Sequence, residues 1–138
     1  MEARYHERMN EAVSPAVVRV VTRAKDDPDI LAVMLFGSRA RGEAGPDSDF
    51  DVCLVLANGP RSDADGTQKR LDYLAEADLD LTIFQQLPLY VRSRVLREGK
   101  VLFVRDEDRL YDVAIRSVKA WEDFRHIHRM YLDAIAHG

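Results

Sequence analysis

The segment FGSRARGEAGPDSDFDV, residues 36 to 52, sets three aspartates two residues apart, at Asp47, Asp49 and Asp51, directly before an apolar run. If Asp49 and Asp51 lie on a strand, alternation sends both carboxylates to one face, while Phe50 and Val52 point the other way into a core. Two carboxylates sharing one small volume repel, and unless one takes up a proton the arrangement calls for a cation. A hard divalent ion with oxygen ligands suits the pair, Mg2+ above all, because it leaves coordination positions free for phosphate oxygens. A calcium loop counted from Asp47 fails, since its sixth position is Val52 instead of glycine and its twelfth is Asn58 instead of glutamate.

Gly37 and Ser38 stand where the preceding apolar run ends, and a helical turn through Arg39, Ala40 and Arg41 would begin there. A glycine lets a phosphate approach the backbone, the serine hydroxyl and free amides at a helix start donate to it, and Arg39 and Arg41 offer countercharge. A plain strand-to-helix turn with solvated arginines would explain the glycine but not the carboxylates. A phosphate cradle ten residues ahead of a carboxylate pair reads as a two-part site for nucleotide and metal.

The elements that must position these groups follow from periodicity. Ser14-Pro15 and the run AVVRVVTRAK give an N-cap, a proline at the first helical position and a helix closed by Asp26-Asp27-Pro28. DILAVMLF (29–36), FDVCLVLA (50–57), DLDLTIF (78–84) and KVLFV (100–104) predict four strands. The polar cluster RSDADGT predicts a loop, QKRLDYLAEA a short helix, and LYVRSRVLREG an amphipathic helix ended by Gly99. Strands alternating with helices imply an α/β fold with helical cover on the sheet, although the short loop after Asp51 leaves room for an antiparallel pair. From Asp106 to His137, apolar residues recur at steps of three and four, including Leu110, Trp121, Phe124, Tyr131 and Ile135. A single helix of that length runs about 48 Å, beyond the ~30 Å width of a small domain. Either it breaks and folds back, or part of its stripe lies outside the core and serves a partner helix.

Composition bounds the function. The 138 residues suit one domain, 1–138, with a core of about 15–105 and a C-terminal helical extension over 106–138. With 20 Lys+Arg against 24 Asp+Glu and a net charge of -4, no basic footprint for nucleic acid exists, so direct nucleic-acid binding is not expected. No apolar run approaches the ~20 residues of a membrane span, which leads to the expectation of a cytoplasmic protein. The single Cys53, inside VCLVL, reads as a buried inert thiol. His126 and His128, two apart on a helix, do not face one another and read with His137 as solvated.

Gly37-Ser38, ten residues, then Asp49-Phe50-Asp51 resembles the GSx10DxD pattern of the nucleotidyltransferase superfamily that includes DNA polymerase beta. Flanked by Phe36, Arg39, Gly42 and Ser48, the segment is similar to minimal nucleotidyltransferases of the MntA type, antitoxins paired with HEPN toxins. The resemblance covers roughly residues 15 to 105. It implies a nucleotidyltransferase fold, a small mixed sheet flanked by helices. It also implies a third carboxylate on a neighbouring strand, for which Asp80, between Leu79 and Leu81, is preferred to Asp78. By the same resemblance Asp49, Asp51 and Asp80 would hold two Mg2+ ions, and Gly37, Ser38, Arg39 and Arg41 would bind the triphosphate of ATP. The implied reaction is AMP transfer to a tyrosine of a cognate HEPN-type RNase toxin. Two alternatives remain: a small-molecule nucleotidyltransferase, whose relatives usually add an acceptor domain, and an antitoxin acting by binding alone.

Overall fold

The computed structural model describes residues 15–37, 51–59, 62–75 and 79–137. The chain runs through α1 (Pro15–Lys25), β1 (Ile30–Phe36), β2 (Asp51–Leu56), α2 (Asp63–Leu74), β3 (Asp80–Ile83), a 3-10 turn (Phe84–Gln86), α3 (Leu89–Glu98), β4 (Lys100–Val104) and α4 (Glu107–His137). The strands form one mixed sheet in the order β3-β2-β1-β4. β1 is antiparallel to both β2 and β4, whereas β2 and β3 run parallel. The antiparallel β1–β2 pair that the sequence left room for is present, and the α/β reading holds with a mixed rather than all-parallel sheet.

Alternation along the central strands builds a core on each face. Val52, Leu54 and Leu56 of β2 join Leu81 and Ile83 of β3, the buried stripe Val17, Val20, Val21 and Ala24 of α1, and Tyr73 of α2. Cys53 and Val55 face the other way and pack with Met34, Phe84 and Val95, against which Leu110 and Val113 of α4 are laid. Fully burying one such side chain contributes about 1.5–3 kcal/mol, whereas an exposed ion pair such as Arg94–Glu98, 3.7 Å apart, contributes about 0–1 kcal/mol. The two apolar layers therefore hold the sheet. Burial pushes the Cys53 thiol up to about 12 against a smaller opposing pull from the Thr82 hydroxyl, so the thiol stays protonated at neutral pH.

Three helix ends are fixed by side-chain hydrogen bonds. α2 starts inside the cluster RSDADGT, which the sequence reading assigned to a loop, because the Ser62 hydroxyl accepts from the Asp65 amide at 3.2 Å and acidic Asp63 and Asp65 occupy the first turn. Gly66, which disguised the helix, is buried within it. α4 opens on Asp106, whose carboxylate accepts from the Arg109 amide at 3.2 Å. At the end of α1 the Arg105 guanidinium donates to the carbonyls of Ala24 at 2.7 Å, Lys25 at 3.1 Å, Asp27 at 3.1 Å and Ile30 at 3.0 Å. It thereby ties the close of β4 to the last carbonyls of α1, the turn that follows and the start of β1.

Asp27, in the turn after α1, accepts from the Tyr73 hydroxyl at 2.8 Å, from Lys69 at 3.2 Å and from the Asp29 amide at 3.1 Å. Burial alone would raise its pKa, but the bonds from Tyr73, the Asp29 amide and Lys69 together outweigh it and hold the carboxyl below its ordinary 3.8. A depressed carboxyl contributes stability above its unfolded pKa and loses it as pH falls through the lower folded value. Tyr73→Phe should accordingly cost about 1 kcal/mol at pH 7, with the deficit shrinking below about pH 3.8. Urea midpoints of both proteins across pH 2.5–7 check this, and a deficit constant with pH would remove the linkage.

α4 is one unbroken helix of 31 residues, so the fold-back alternative does not occur. Its first half packs on α3 and the sheet, and Ser117 is buried, but every residue from Glu122 to His137 is exposed. The stripe that seats Leu110, Val113 and Ser117 continues along the same face through Trp121, Phe124, Tyr131 and Ile135. Phe124, Tyr131 and Ile135 are 51%, 62% and 63% exposed. His126, His128 and His137 are exposed as expected, and His128 stacks on Phe124 with ring centroids 5.9 Å apart.

Candidate active site

Three residues singled out in the sequence converge at one end of the sheet. Gly37 follows β1, whose last residue Phe36 is in register with Asp51, the first residue of β2. Asp51 is in turn in register with Asp80, the first residue of β3. Because β2 and β3 run parallel, both carboxylates stand at strand starts on neighbouring strands, about 4.8 Å apart in backbone spacing. Parity puts them on one face, since Val52 and Leu81 belong to the opposite apolar layer, as does the partly buried Leu79. Asp51 is half-buried and Asp80 exposed.

Gly37 has φ +83°, a left-handed conformation that L side chains rarely adopt. A Cβ there would collide with the Asp51 carboxylate oxygen Oδ2. The chain thus brings bare backbone against the Asp51 carboxylate, an approach that any side chain at position 37 would block. Two same-face carboxylates on neighbouring strands, one of them lying against a glycine, are the oxygen donors that a hard divalent cation takes.

Position is secured from both layers. Arg70 of α2 donates its Nε–H to the Leu81 carbonyl at 2.6 Å, pinning β3 beside Asp80. On the other layer, Val91, Arg94, Val95 and Glu98 of α3 border a hollow of about 120 Å3 that includes Phe36 and Gly37. Arg94 lines this hollow together with its ion-pair partner Glu98, and the sequence reading did not single it out. Its only signal is its place on an amphipathic helix, which says nothing about proximity across the fold.

Ser38, Arg39, Arg41 and Asp49 lie outside the described residues, as does Asp78, the rival third carboxylate. Among the described residues no group of three His, Cys, Asp or Glu forms a metal cluster. Asp51 and Asp80 are two carboxylates of the expected three.

The chain matches the Polymerase beta, Nucleotidyltransferase family over residues 19–108. It is 32% identical over 96 residues to a Methanocaldococcus jannaschii protein named as a candidate protein adenylyltransferase, covering 68% of this chain and 71% of that one. Its fold is similar to a crystal structure of a toxin-antitoxin with AMP-PNP, with TM-score 0.63, 16% identity and coverage of 88% of this chain and 96% of the other. It is also similar to a chain from a complex of tri-AMPylated Shewanella oneidensis HEPN toxin with MNT antitoxin, with TM-score 0.59, 13% identity and coverage of 99% of each. The family match spans the strands that carry Gly37, Asp51 and Asp80, and with it the chain belongs to the Polymerase beta nucleotidyltransferase family, enzymes that transfer nucleotidyl groups.

Proposed function

We propose that this protein is a cytoplasmic antitoxin that transfers AMP from ATP to a tyrosine hydroxyl of a helical HEPN-type toxin, and so silences it. The observation that carries the reading is the meeting of Gly37, Asp51 and Asp80 at one end of the sheet. The M. jannaschii relative's name and the toxin-antitoxin content of the structural neighbours support the choice of acceptor. We read residues 1–138 as one nucleotidyltransferase domain whose core is about 15–105, extended by the helical segment 106–138.

In this reading Asp49, Asp51 and Asp80 hold two Mg2+ ions, which when bound neutralise phosphate charge and sharpen the acceptor oxygen as a nucleophile. Gly37 and Ser38 hold the triphosphate through backbone and hydroxyl donors, with Arg39 and Arg41 as countercharge. Asp80 orients the acceptor hydroxyl and receives its proton. The hydroxyl oxygen bonds to the α-phosphorus as the bond to the bridging oxygen breaks, and pyrophosphate leaves in line. Rate enhancement comes from groups fixed where negative charge grows.

The exposed half of α4 supplies a contact for an all-helical acceptor protein, since an apolar stripe on a projecting helix suits a groove between partner helices. A chain ending at Trp121 should bind its toxin at least about tenfold more weakly while ATP affinity stays within about twofold. Calorimetric titration with each ligand measures both, and an unchanged toxin complex would remove the stripe from the interface.

Intact-mass spectrometry of the candidate toxin after incubation with this protein, ATP and Mg2+ tests the whole reading. Mass steps of one AMP on the toxin, absent with the Asp49→Ala, Asp51→Ala double variant, are expected. A stable complex without mass change would mean neutralisation by occlusion, and modification of small hydroxyl compounds instead would change the acceptor class.

A further inference from the structure

The end of the sheet away from Gly37 carries a different concentration of charge. A cleft of about 480 Å3 opens between the close of β2, the 3-10 turn and the first turns of α4, and Arg92, Arg109 and Arg116 all line it. Asp112 is the one carboxylate among the described lining residues, which leaves an excess of two positive charges. β2 separates this cleft from the carboxylate end, because five residue steps from Asp51 to Leu56 span about 17 Å.

Two of the arginines are held in place by the fold. Arg92 donates to the Leu87 carbonyl at 2.7 Å through Nε and to the Gln85 carbonyl at 3.0 Å through Nη2. Arg109 donates through Nη2 to the Ala57 carbonyl at 2.6 Å and to the Asn58 side-chain oxygen at 3.1 Å. A guanidinium has five N–H donors, so each, after about two are used, keeps roughly three uncommitted. The Arg116 side chain has no hydrogen-bond or ion-pair partner among the described residues. Gathering three cations with one carboxylate costs electrostatic energy unless an anion completes the group. Anchored guanidinium forks match phosphate oxygens in pairs without losing freedom on binding.

We propose that this cleft is a second binding site, separate from the nucleotidyl-transfer centre, selective for a small ligand bearing a dianionic phosphate group. Charge chooses the class: an excess of two positive charges matches a phosphate monoester dianion better than a single carboxylate. Size agrees, since ligand clefts span about 300–1,000 Å3, and Phe84 and Val113 give this one apolar walls. An extended polyanion is disfavoured by the neighbouring surface. A second cleft shares the Leu56, Asn58 and Gly59 rim and carries Asp29, Asp65 and Asp72 against Lys69, so a nucleic-acid strand leaving the arginines would meet carboxylates. The site does not depend on the AMP-transfer reading.

The test is residue-resolved NMR of the full chain with chelator present and no divalent metal, titrated with AMP at constant ionic strength. Saturable shifts at the amides of Asn58, Gly59, Arg109 and Ser117 are expected, weakened at least about tenfold in Arg116→Gln and retained in Asp51→Asn. Arg116→Gln removes charge from an exposed side chain with no described partner, so its spectrum should otherwise match the parent. Shifts confined to the Gly37 end, unchanged affinity in Arg116→Gln, or equal shifts with acetate would each overturn the proposal. Tighter binding of a ten-nucleotide RNA than of AMP would overturn its restriction to small ligands.

Discussion

Asp51→Asn should lower AMP transfer by about three orders of magnitude and remove the stabilisation that Mg2+ gives the fold. Asp51 heads β2, is half-buried, and shares a face with Asp80 on the adjacent strand. Asparagine keeps its shape and removes one of two like charges about 4.8 Å apart in backbone spacing. On the proposed mechanism the same change removes an anionic metal ligand, and metal-assisted charge stabilisation is worth several kcal/mol, at 1.36 kcal/mol per tenfold in rate. Initial rates of labelled AMP incorporation and thermal melts with and without Mg2+ separate the two effects. The parent should melt higher in Mg2+ because the ion binds only the folded chain, and the variant should lose that increment. Stability falling in step with activity would instead make Asp51 a structural residue.

Gly37→Ala should damage stability and activity together. At φ +83° any L residue is strained, at a cost of about 1–3 kcal/mol, and the added Cβ must displace the Asp51 carboxylate. A fall in melting temperature on the order of 5–10 °C is expected, with transfer reduced at least about a hundredfold because the displaced carboxylate can no longer take its place. Mg2+ affinity, read from the same melts, distinguishes this from strain alone: a variant that melts low but keeps the full Mg2+ increment would show that the carboxylate recovers its position. Gly59, also at positive φ (+70°), has no atom within 4 Å of an added Cβ. Gly59→Ala therefore carries strain without collision and is the natural control.

The contrast between these residues explains what the sequence made legible. Strand positions were readable because buried strands are short apolar runs with turn formers at their ends, and period-two alternation then assigned a face to Asp51 and Asp80. Their register across β2 and β3 came from no local signal. It depends on which strands pair, and the sheet order β3-β2-β1-β4 places the last strand beside the first. The start of α2 was missed because a glycine and three polar residues outweighed a serine cap that works through a single 3.2 Å bond. Arg92, Arg109 and Arg116 were invisible as a group for a related reason. They sit on two helices that meet only when α4 crosses α3, and the net charge of -4 conceals any local excess.

The late arrival of β4 has a consequence for synthesis. β1, with the apolar sequence ILAVMLF, pairs on one edge with β2 and on the other with β4. The Arg105 bonds that close α1 join residues 75 to 81 positions apart. At about 5–20 residues per second, roughly 4–16 s pass between translation of α1 and of Arg105. Throughout that interval the nascent chain carries an open apolar strand edge, the template on which chains associate with one another. A transcript cut before the Lys100 codon would therefore yield a chain with the Gly37, Asp51 and Asp80 codons translated and an aggregation-prone edge exposed, so the codons of β4 guard the solubility of what is made before them.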